Sequence, residues 1–315
     1  MNVIMTAPRL AQQAVALLEA AGATLHYMPP FPRAAAVAAL ARQVGAVAIL
    51  SRQGPVTAAV MDAAPGLRVV ARHGVGVDDV DLDEAAQRGI VVTRAPGSNT
   101  QAVAEHALAL MLALVKDLPA LSAQVASGAW RGAGTKVGDM AGRRLGLVGC
   151  GAIGRAVARL AQAFDMPVAA YDPAAPATTG IAAAPSLAAL LGQSGILSLH
   201  LPFTPATRHL IGTAELALLP PGAFVINTAR GGLIDETALY QAIEAGHVAG
   251  AGLDVYEDEP PAPDHPLRGH SKVISTPHVA GVTDGSLVNM GVMAAECIVA
   301  VLQGQPVPPD RLVRP

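Results

Sequence analysis

Only two cysteines, Cys150 and Cys297, occur in 315 residues. That is too few for a disulfide framework or a zinc site, so no metal is expected and a reducing, cytoplasmic setting is. Lysine is nearly absent: Lys116, Lys136 and Lys272 are three of 21 basic residues, and the rest are arginine. With the abundant alanine, this reads as genome composition. No surplus of one charge exists, because 21 basic residues face 24 acidic ones and the net charge is -3. A nucleic-acid partner is therefore not expected. Long hydrophobic runs are missing too. Ala107 to Val115 is stopped by Lys116 and Asp117, far short of the ~18–20 uncharged residues a bilayer span needs. The opening Met1–Met5 lacks a basic lead and an Ala-x-Ala cut site, so no secretory leader is expected. What is abundant is apolar: 52% hydrophobic against 14% charged residues excludes a disordered chain, and the length suggests about two domains.

Short β-like runs alternate with helical patterns. Asn2–Met5, Thr24–Tyr27, Ala46–Ile49, Arg68–Ala71 and Ile90–Thr93 read as strands. Alanine-rich helical segments lie between them near Leu10–Ala20, Ala34–Arg42 and Thr57–Ala63. This rhythm predicts an α/β parallel sheet covered by helices, with right-handed crossovers. Ala95-Pro-Gly-Ser-Asn-Thr100 punctuates the chain, and Ser98, Asn99 or Thr100 can cap the apolar helix from Gln101 to about Lys116. A glycine-rich loop, Gly128–Gly142, carries the only tryptophan, Trp130. A second series of six strands starts at Leu145 and runs through Val168–Tyr171, Ile196–Leu199, Ala223–Asn227, Gly250–Asp254 and Val273–Ser275. That pattern matches a doubly wound dinucleotide domain. A last helix spans about Thr283 to Leu302, and Pro306–Pro315 reads as a surface strap.

The sharpest local signal is Gly149-Cys-Gly151-Ala152-Ile153-Gly154, between an apolar strand and an alanine-rich helix. Gly149 permits the tight turn, Gly151 lets the backbone approach a pyrophosphate, and Gly154 lets helix and strand pack closely. The helix N-terminus favours phosphate charge. Asp172 ends the next strand, 18 residues past Gly154 (172 − 154). An Asp there accepts from ribose hydroxyls and repels a 2′-phosphate, and Pro-Ala-Ala-Pro-Ala at 173–177 offers no cation. NAD is therefore expected over NADP. The alternative is a glycine turn in an ordinary βαβ unit or a methyltransferase-type nucleotide fold. Cys150 is assigned no chemistry.

Three downstream segments follow strands: Asn227-Thr-Ala-Arg230-Gly231, Asp254-Val-Tyr-Glu257-Asp-Glu259-Pro260 and Thr276-Pro-His278. Open α/β sheets bind ligands at such carboxyl ends. Hydride transfer between NAD and a 2-hydroxy acid needs a cation for the carboxylate, a proton carrier and a dry slot. Arg230 can grip a carboxylate in two parallel hydrogen bonds. His278 is the natural acid/base, and Glu259 is chosen as the carboxylate that orients its ring.

These segments, with Gly74-Val-Gly76-Val-Asp78, Ser98-Asn-Thr-Gln-Ala-Val-Ala-Glu105 and Leu199-His-Leu-Pro202, run in order along essentially the whole chain. The chain resembles the D-isomer-specific 2-hydroxyacid dehydrogenase family, which includes phosphoglycerate dehydrogenases and glyoxylate/hydroxypyruvate reductases. The resemblance implies that Arg230 binds substrate and that Glu259, the acid directly before the proline, assists His278, with Glu257 a solvated neighbour. It implies that Asp254 and Thr228-Ala229-Arg230 approach the nicotinamide end, as do His278 and Gly281. His200, Leu201 and Pro202 would lie near the adenosine, and Thr207 would reach the cofactor. Substrate would meet Arg52 and Gln53, together with the backbone at Val75 and Gly76. The implied layout is a Rossmann NAD domain (98–280) inserted into a flavodoxin-like substrate domain (1–97 plus 281–315). The apolar helix and Trp130 loop would form a homodimer interface. Asp79 departs from the asparagine of many relatives and is expected to alter only local turn chemistry. No regulatory domain is read after the last helix, so serine feedback is not expected.

Other readings remain beside these. His106 reads as a packed or interface histidine, and Glu105 as an anchor for its helix. Arg72 and His73 are either packing groups or part of the substrate mouth. The expected function is an NAD-dependent D-2-hydroxyacid dehydrogenase acting as a 2-oxoacid reductase. The alternatives are D-3-phosphoglycerate dehydrogenase specifically, for which Arg52, Arg72 and His73 would supply a phosphate pocket, or an NAD-sensing corepressor-like binding protein.

Overall fold

The computed structural model describes residues 1–174 and 180–313. In chain order the strands are β1 (Asn2–Met5), β2 (Thr24–Tyr27), β3 (Ala48–Ser51), β4 (Val69–Arg72), β5 (Val91–Thr93), β6 (Leu145–Val148), β7 (Val168–Tyr171), β8 (Ala182–Ala183), β9 (Ile196–Leu199), β10 (Ala223–Asn227), β11 (Val248–Leu253) and β12 (Val273–Ser275). The helices are α1 (Gln12–Ala20), α2 (Ala34–Val44), α3 (Ala58–Asp62), α4 (Leu82–Gln87), α5 (Thr100–Val115), α6 (Leu118–Ala126), α7 (Ala152–Gln162), α8 (Leu187–Leu191), α9 (Thr213–Leu218), α10 (Glu236–Glu244) and α11 (Asp284–Leu302). Two compact units result, one from Met1–Asn99 with Val282–Pro315 and one from Thr100–Gly281.

In the first unit five parallel strands lie in the order β2-β1-β3-β4-β5, the flavodoxin-like winding. Val3, Ile4 and Met5 of β1 and Ala48 to Ser51 of β3 are fully buried. Central strands covered on both faces need such unbroken apolar runs. One face packs under α2 and α3 through Val37, Val60 and Met61, the other under α1 and α11 through Ala14, Leu18, Ala294 and Ile298. The start of α11 is a reciprocal cap: Ser286 N donates to Thr283 Oγ1, and Thr283 N donates to Ser286 Oγ. By length and composition alone α11 is apolar enough to cross a membrane. Here its Met290, Gly291, Ala294, Ala295 and Ile298 stripe is buried in this unit's core.

The expected C-terminal strap is an added edge pairing. Leu312 bridges Thr93 antiparallel, and Val313 N donates to Val92 O. Residues 314–315 of that segment lie outside the described ones.

The second unit has seven parallel strands in the order β12-β11-β10-β9-β6-β7-β8, not six. The strand missing from the sequence reading is β8, two alanines with no β-branched or aromatic signal. With it the sheet has the dinucleotide-fold order, extended by one strand at the β12 edge. Helices α5 and α7 cover one face, and α8, α9 and α10 the other. Helix α6 follows α5 after a left-handed Asp117 and buries none of its residues in its own unit.

Candidate active site

Strands β10, β11 and β12 run in register: Asn227 pairs with Leu253, and Leu253 with Ser275. The chain therefore leaves the sheet at the same level on three neighbouring strands, about 4.8 Å apart. Thr228–Arg230, Asp254–Glu259 and Thr276–His278 are carried to one rim. Each segment is then braced.

On the first, the fully buried Asn227 closes the turn from both ends. Its Nδ2 donates to Arg230 O at 2.8 Å, and its Oδ1 accepts from Ala229 N at 3.0 Å. Arg230 lies half-buried, with Nη1 donating to Ala229 O at 2.7 Å. Gly231 must be glycine, because a Cβ there would sit 1.9 Å from the Tyr256 carbonyl carbon. That contact seats the Arg230 turn directly on the β11 loop.

On the second and third, His278 Nδ1 lies 2.7 Å from Glu259 Oε2, and the other carboxylate oxygen accepts from Tyr256 N at 3.2 Å. Both side chains are open to solvent, His278 at 49% and Glu259 at 38%. His278 sits at φ +53°, a left-handed backbone that a non-glycine residue holds only when its surroundings impose it. Asp254 imposes it. Its carbonyl accepts from His278 N at 2.8 Å. Its carboxylate accepts from Thr276 Oγ1 at 2.6 Å, Val279 N at 2.8 Å and Ala280 N at 2.8 Å. Asp254, expected to approach the nicotinamide end, has its buried carboxylate engaged by the histidine turn. His106, read only as a packed or interface group, joins this network: its Nε2 donates to Thr276 Oγ1 at 2.9 Å, since the Thr276 proton goes to Asp254.

The glycine loop is built as its spacing predicts. Gly149 has φ +92°, and a Cβ on it would lie 2.4 Å from His200 O; one on Gly154 would lie 2.4 Å from Gly149 O. A Cβ on Gly151 would meet no protein atom within 4 Å, and Gly151 and Ala152 are exposed at the start of α7 while Ile153 is half-buried. The loop thus packs tightly on its inner side and is open where a phosphate would approach a helix N-terminus. Asp172 Oδ2 accepts from Cys150 N at 2.8 Å, and Oδ1 from Ala174 N at 2.9 Å. It braces the loop. Of the cation-free stretch 173–177, residues 175–177 lie outside the described ones.

Arg155, which the sequence reading passed over, reaches back to Cys150 O at 2.8 Å; an arginine directly after Gly154 was its signal. His200 bonds Ser198 Oγ at 2.9 Å, and burial pushes its imidazole down to about 4. Leu201 is half-buried and Pro202 exposed. The Thr207 hydroxyl closes its own turn onto Pro202 O at 3.0 Å. Gly281 is half-buried and ends this unit. Thr228 Oγ1 is buried without a hydrogen-bond partner among the described residues, and buried hydroxyls are rarely left so. An unpaired hydroxyl at the rim, the open Gly151 and the α7 N-terminus fit a dinucleotide.

One neighbour differs from expectation. Glu105 is exposed and accepts from Gln101 on its own helix; the tie from α5 to α7 is Arg159 donating to Gln101 Oε1 at 2.9 Å. Glu257 is exposed, as a solvated neighbour should be, and Arg208 and His209 lie 2.6 and 2.9 Å from its carboxylate. Cys150 and Cys297 are buried and unbridged, and no metal-ligand cluster occurs among the described residues.

In the first unit, Arg52 N and Gln53 N both donate to the buried Thr6 hydroxyl, at 2.9 and 3.2 Å. Their amides are turned inward, and Gln53 Oε1 accepts from Phe31 N. The half-buried Arg52 guanidinium meets no acceptor among the described residues, and burial with the nearby Arg72 charge lowers its pKa. The half-buried Val75 and Gly76 amides also donate to no acceptor in these residues. His73 is a core residue: 5% exposed, held near neutral form by burial and by the Arg52 and Arg72 charges, its pKa down to about 4.

Residues 108–280 match the family model of the D-isomer specific 2-hydroxyacid dehydrogenase NAD binding domain. The chain is 42% identical over 262 residues to a D-3-phosphoglycerate dehydrogenase of Archaeoglobus fulgidus, covering 82% of this chain and 50% of that protein. It is 39% identical over 245 residues to a hydroxypyruvate reductase of Thermotoga maritima, covering 77% of this chain and 80% of that one. The chain thus spans about half the length of the phosphoglycerate dehydrogenases it matches. The TT0316 protein of Thermus thermophilus superposes with a TM-score of 0.91 at 37% identity over the full length of both chains. With an NAD-binding unit of this order and a glycine loop of this geometry, the chain belongs to the D-isomer specific 2-hydroxyacid dehydrogenase family.

Proposed function

We propose that the chain is an NAD-dependent D-2-hydroxyacid dehydrogenase that works as a 2-oxoacid reductase. The observation that carries this reading is the imidazole–carboxylate couple of His278 and Glu259, held on strand tips in register with the turn that presents Arg230. Arg230 grips the substrate carboxylate and polarises the carbonyl. His278 gives the proton to the carbonyl oxygen from Nε2, because Nδ1 is committed to Glu259. Asp254, through the 276–280 turn, keeps that nitrogen aimed. When bound, the nicotinamide supplies the hydride to the adjacent carbon. The α7 N-terminus with Gly149–Gly154 and Arg155 holds the pyrophosphate, Thr228 and Ala229 meet the nicotinamide end, and His200, Leu201 and Pro202 border the adenosine. Asp172 selects NAD, because a carboxylate at the ribose repels a 2′-phosphate. In the substrate unit Arg52, Gln53, Val75 and Gly76 receive the acid.

A steady-state panel of glyoxylate, hydroxypyruvate, pyruvate and 3-phosphohydroxypyruvate, each with NADH and NADPH, tests this. No turnover with any of them would remove the enzymatic reading; preference for NADPH would remove the role of Asp172. The phosphoglycerate reading is favoured by the named relatives. Against it, Arg72 is ion-paired and His73 is buried neutral, so Arg52 alone of the three cations is left for a phosphate.

The apolar helix α5, expected at a dimer interface with the Trp130 loop, spends Ala104, Ala107, Leu110 and Met111 on its own unit's core, so in this reading the chain pairs with a second copy through α6 and the Trp130 loop. Leu118, Val125 and Trp130 are exposed there, Trp130 at 76%. A monomer by light scattering would refute the pairing.

A further inference from the structure

Arg72 ends β4, and its guanidinium is the hub of two loops. Nε donates to Gly76 O at 2.8 Å. Nη1 donates to Arg52 O at 3.0 Å and to Ser51 O and Oγ at 3.3 Å each. The same Nη1 lies 2.8 Å from Asp79 Oδ2, with the two side chains 19% and 26% exposed. One planar cation therefore ties the Ser51–Arg52 loop after β3 to the Gly74–Asp79 turn after β4. The two strands are neighbours in register, Ser51 opposite Arg72.

The groups this leaves over are the half-buried Arg52 guanidinium and the half-buried amides of Val75 and Gly76. All are positive ends, and none is met by an acceptor among the described residues. Left alone, Arg52 and Arg72 would repel each other, and each half-buried charge would be costly. Asp79 offsets one of them.

We infer that Arg72 and Asp79 form a positioning couple that fixes the Arg52 loop against the Gly74–Gly76 turn, making Arg52 and the Val75 and Gly76 amides one rigid cradle for a carboxylate. Arg72 itself does not touch substrate, and Asp79 does more than shape a turn. The inference rests on the proposed use of these loops for substrate. A lysine cannot take the place of Arg72, because a single ammonium nitrogen cannot reproduce two separated donors, Nε on Gly76 O and Nη1 on the Ser51–Arg52 loop.

The test uses the full chain and Arg72→Lys and Asp79→Ala variants. Arg72→Lys raises KM for glyoxylate or hydroxypyruvate about tenfold, the scale of a lost preorganised contact, with kcat and the NADH dissociation constant little changed. Asp79→Ala raises KM in the same direction by a smaller factor. Hydrogen exchange of peptides covering 51–54 and 74–79 speeds up in both variants, while exchange of α1 does not. Wild-type KM in Arg72→Lys, or equal losses in kcat and NADH affinity, overturns the couple. Unchanged exchange at both loops overturns it as well, whatever the substrate proves to be. Lack of turnover by the unmodified protein would instead strike at the proposed function, with the exchange measurement still deciding the couple. Should Asp79→Ala fail to fold, Arg72→Lys, which keeps the charge, carries both readouts.

Discussion

Glu259 Oε2 stands 2.7 Å from His278 Nδ1, and both groups remain accessible to solvent. In the proposed function this makes Nε2 the nitrogen that exchanges a proton with substrate. Replacing His278 by alanine is expected to cut kcat by at least about 10²-fold, the scale of a lost general acid–base. Glu259→Gln keeps a hydrogen bond but removes the charge. It should leave NADH affinity intact, lower kcat and move the limb of the pH–rate profile. A profile superposable on the wild type would deny Glu259 its part.

Asp254 offers a test of the histidine turn. Asn at this position must point one NH2 at donors that now meet oxygen: Thr276 Oγ1, Val279 N and Ala280 N. An unsatisfied buried donor costs roughly 1–3 kcal/mol. Asp254→Asn should lower the melting temperature of the second unit and reduce kcat more than it weakens NADH. An unchanged kcat would mean that the left-handed His278 holds itself.

Gly151 separates ligand effects from folding effects. No protein atom lies within 4 Å of a Cβ there, and its φ is −70°. Gly151→Ala should therefore leave the melting temperature alone while weakening NADH at least about tenfold through a clash with the pyrophosphate. Gly231→Ala is its opposite, since that Cβ would fall 1.9 Å from Tyr256 C. It should cost stability and kcat together, read by thermal melts alongside kinetics.

His73 predicts acid sensitivity of the first unit. Its folded pKa, about 4, lies below the ordinary value of 6.5. Unfolded chains thus bind a proton between those values while the folded form does not. Stability is full above pH 6.5 and declines as pH falls toward 4, by about 2 kcal/mol at pH 5. Urea midpoints at pH 7.5 and 5.0 would fall less far apart in His73→Gln than in the wild type. Equal spacing would contradict a neutral buried imidazole.

Much of this was readable in the chain because the signals are local. Gly149, Gly151 and Gly154 follow an apolar strand, and Arg230, Glu259 and His278 each stand just past one. What escaped depended on partners distant in sequence or on weak local patterns. Arg72 and Asp79 lie seven apart, yet their purpose shows only when Ser51 and Arg52 come alongside. His106 finds Thr276 across 170 residues. Glu105 looked like an anchor because a helical acid among apolar residues wants a partner, but the helix turns it outward and Gln101 makes the tie. Strand β8, two alanines long, had no pattern to read.

The C-terminal pairing has a consequence beyond packing. Strand β5 closes one side of its sheet, and a free rim of amides and carbonyls is a template on which other chains can grow. Leu312 and Val313 cover the Thr93 and Val92 positions from within the same molecule, and Arg311 fastens the segment to Glu296 on α11 at 2.6 Å. This short stretch thus lies as a selvage along that rim.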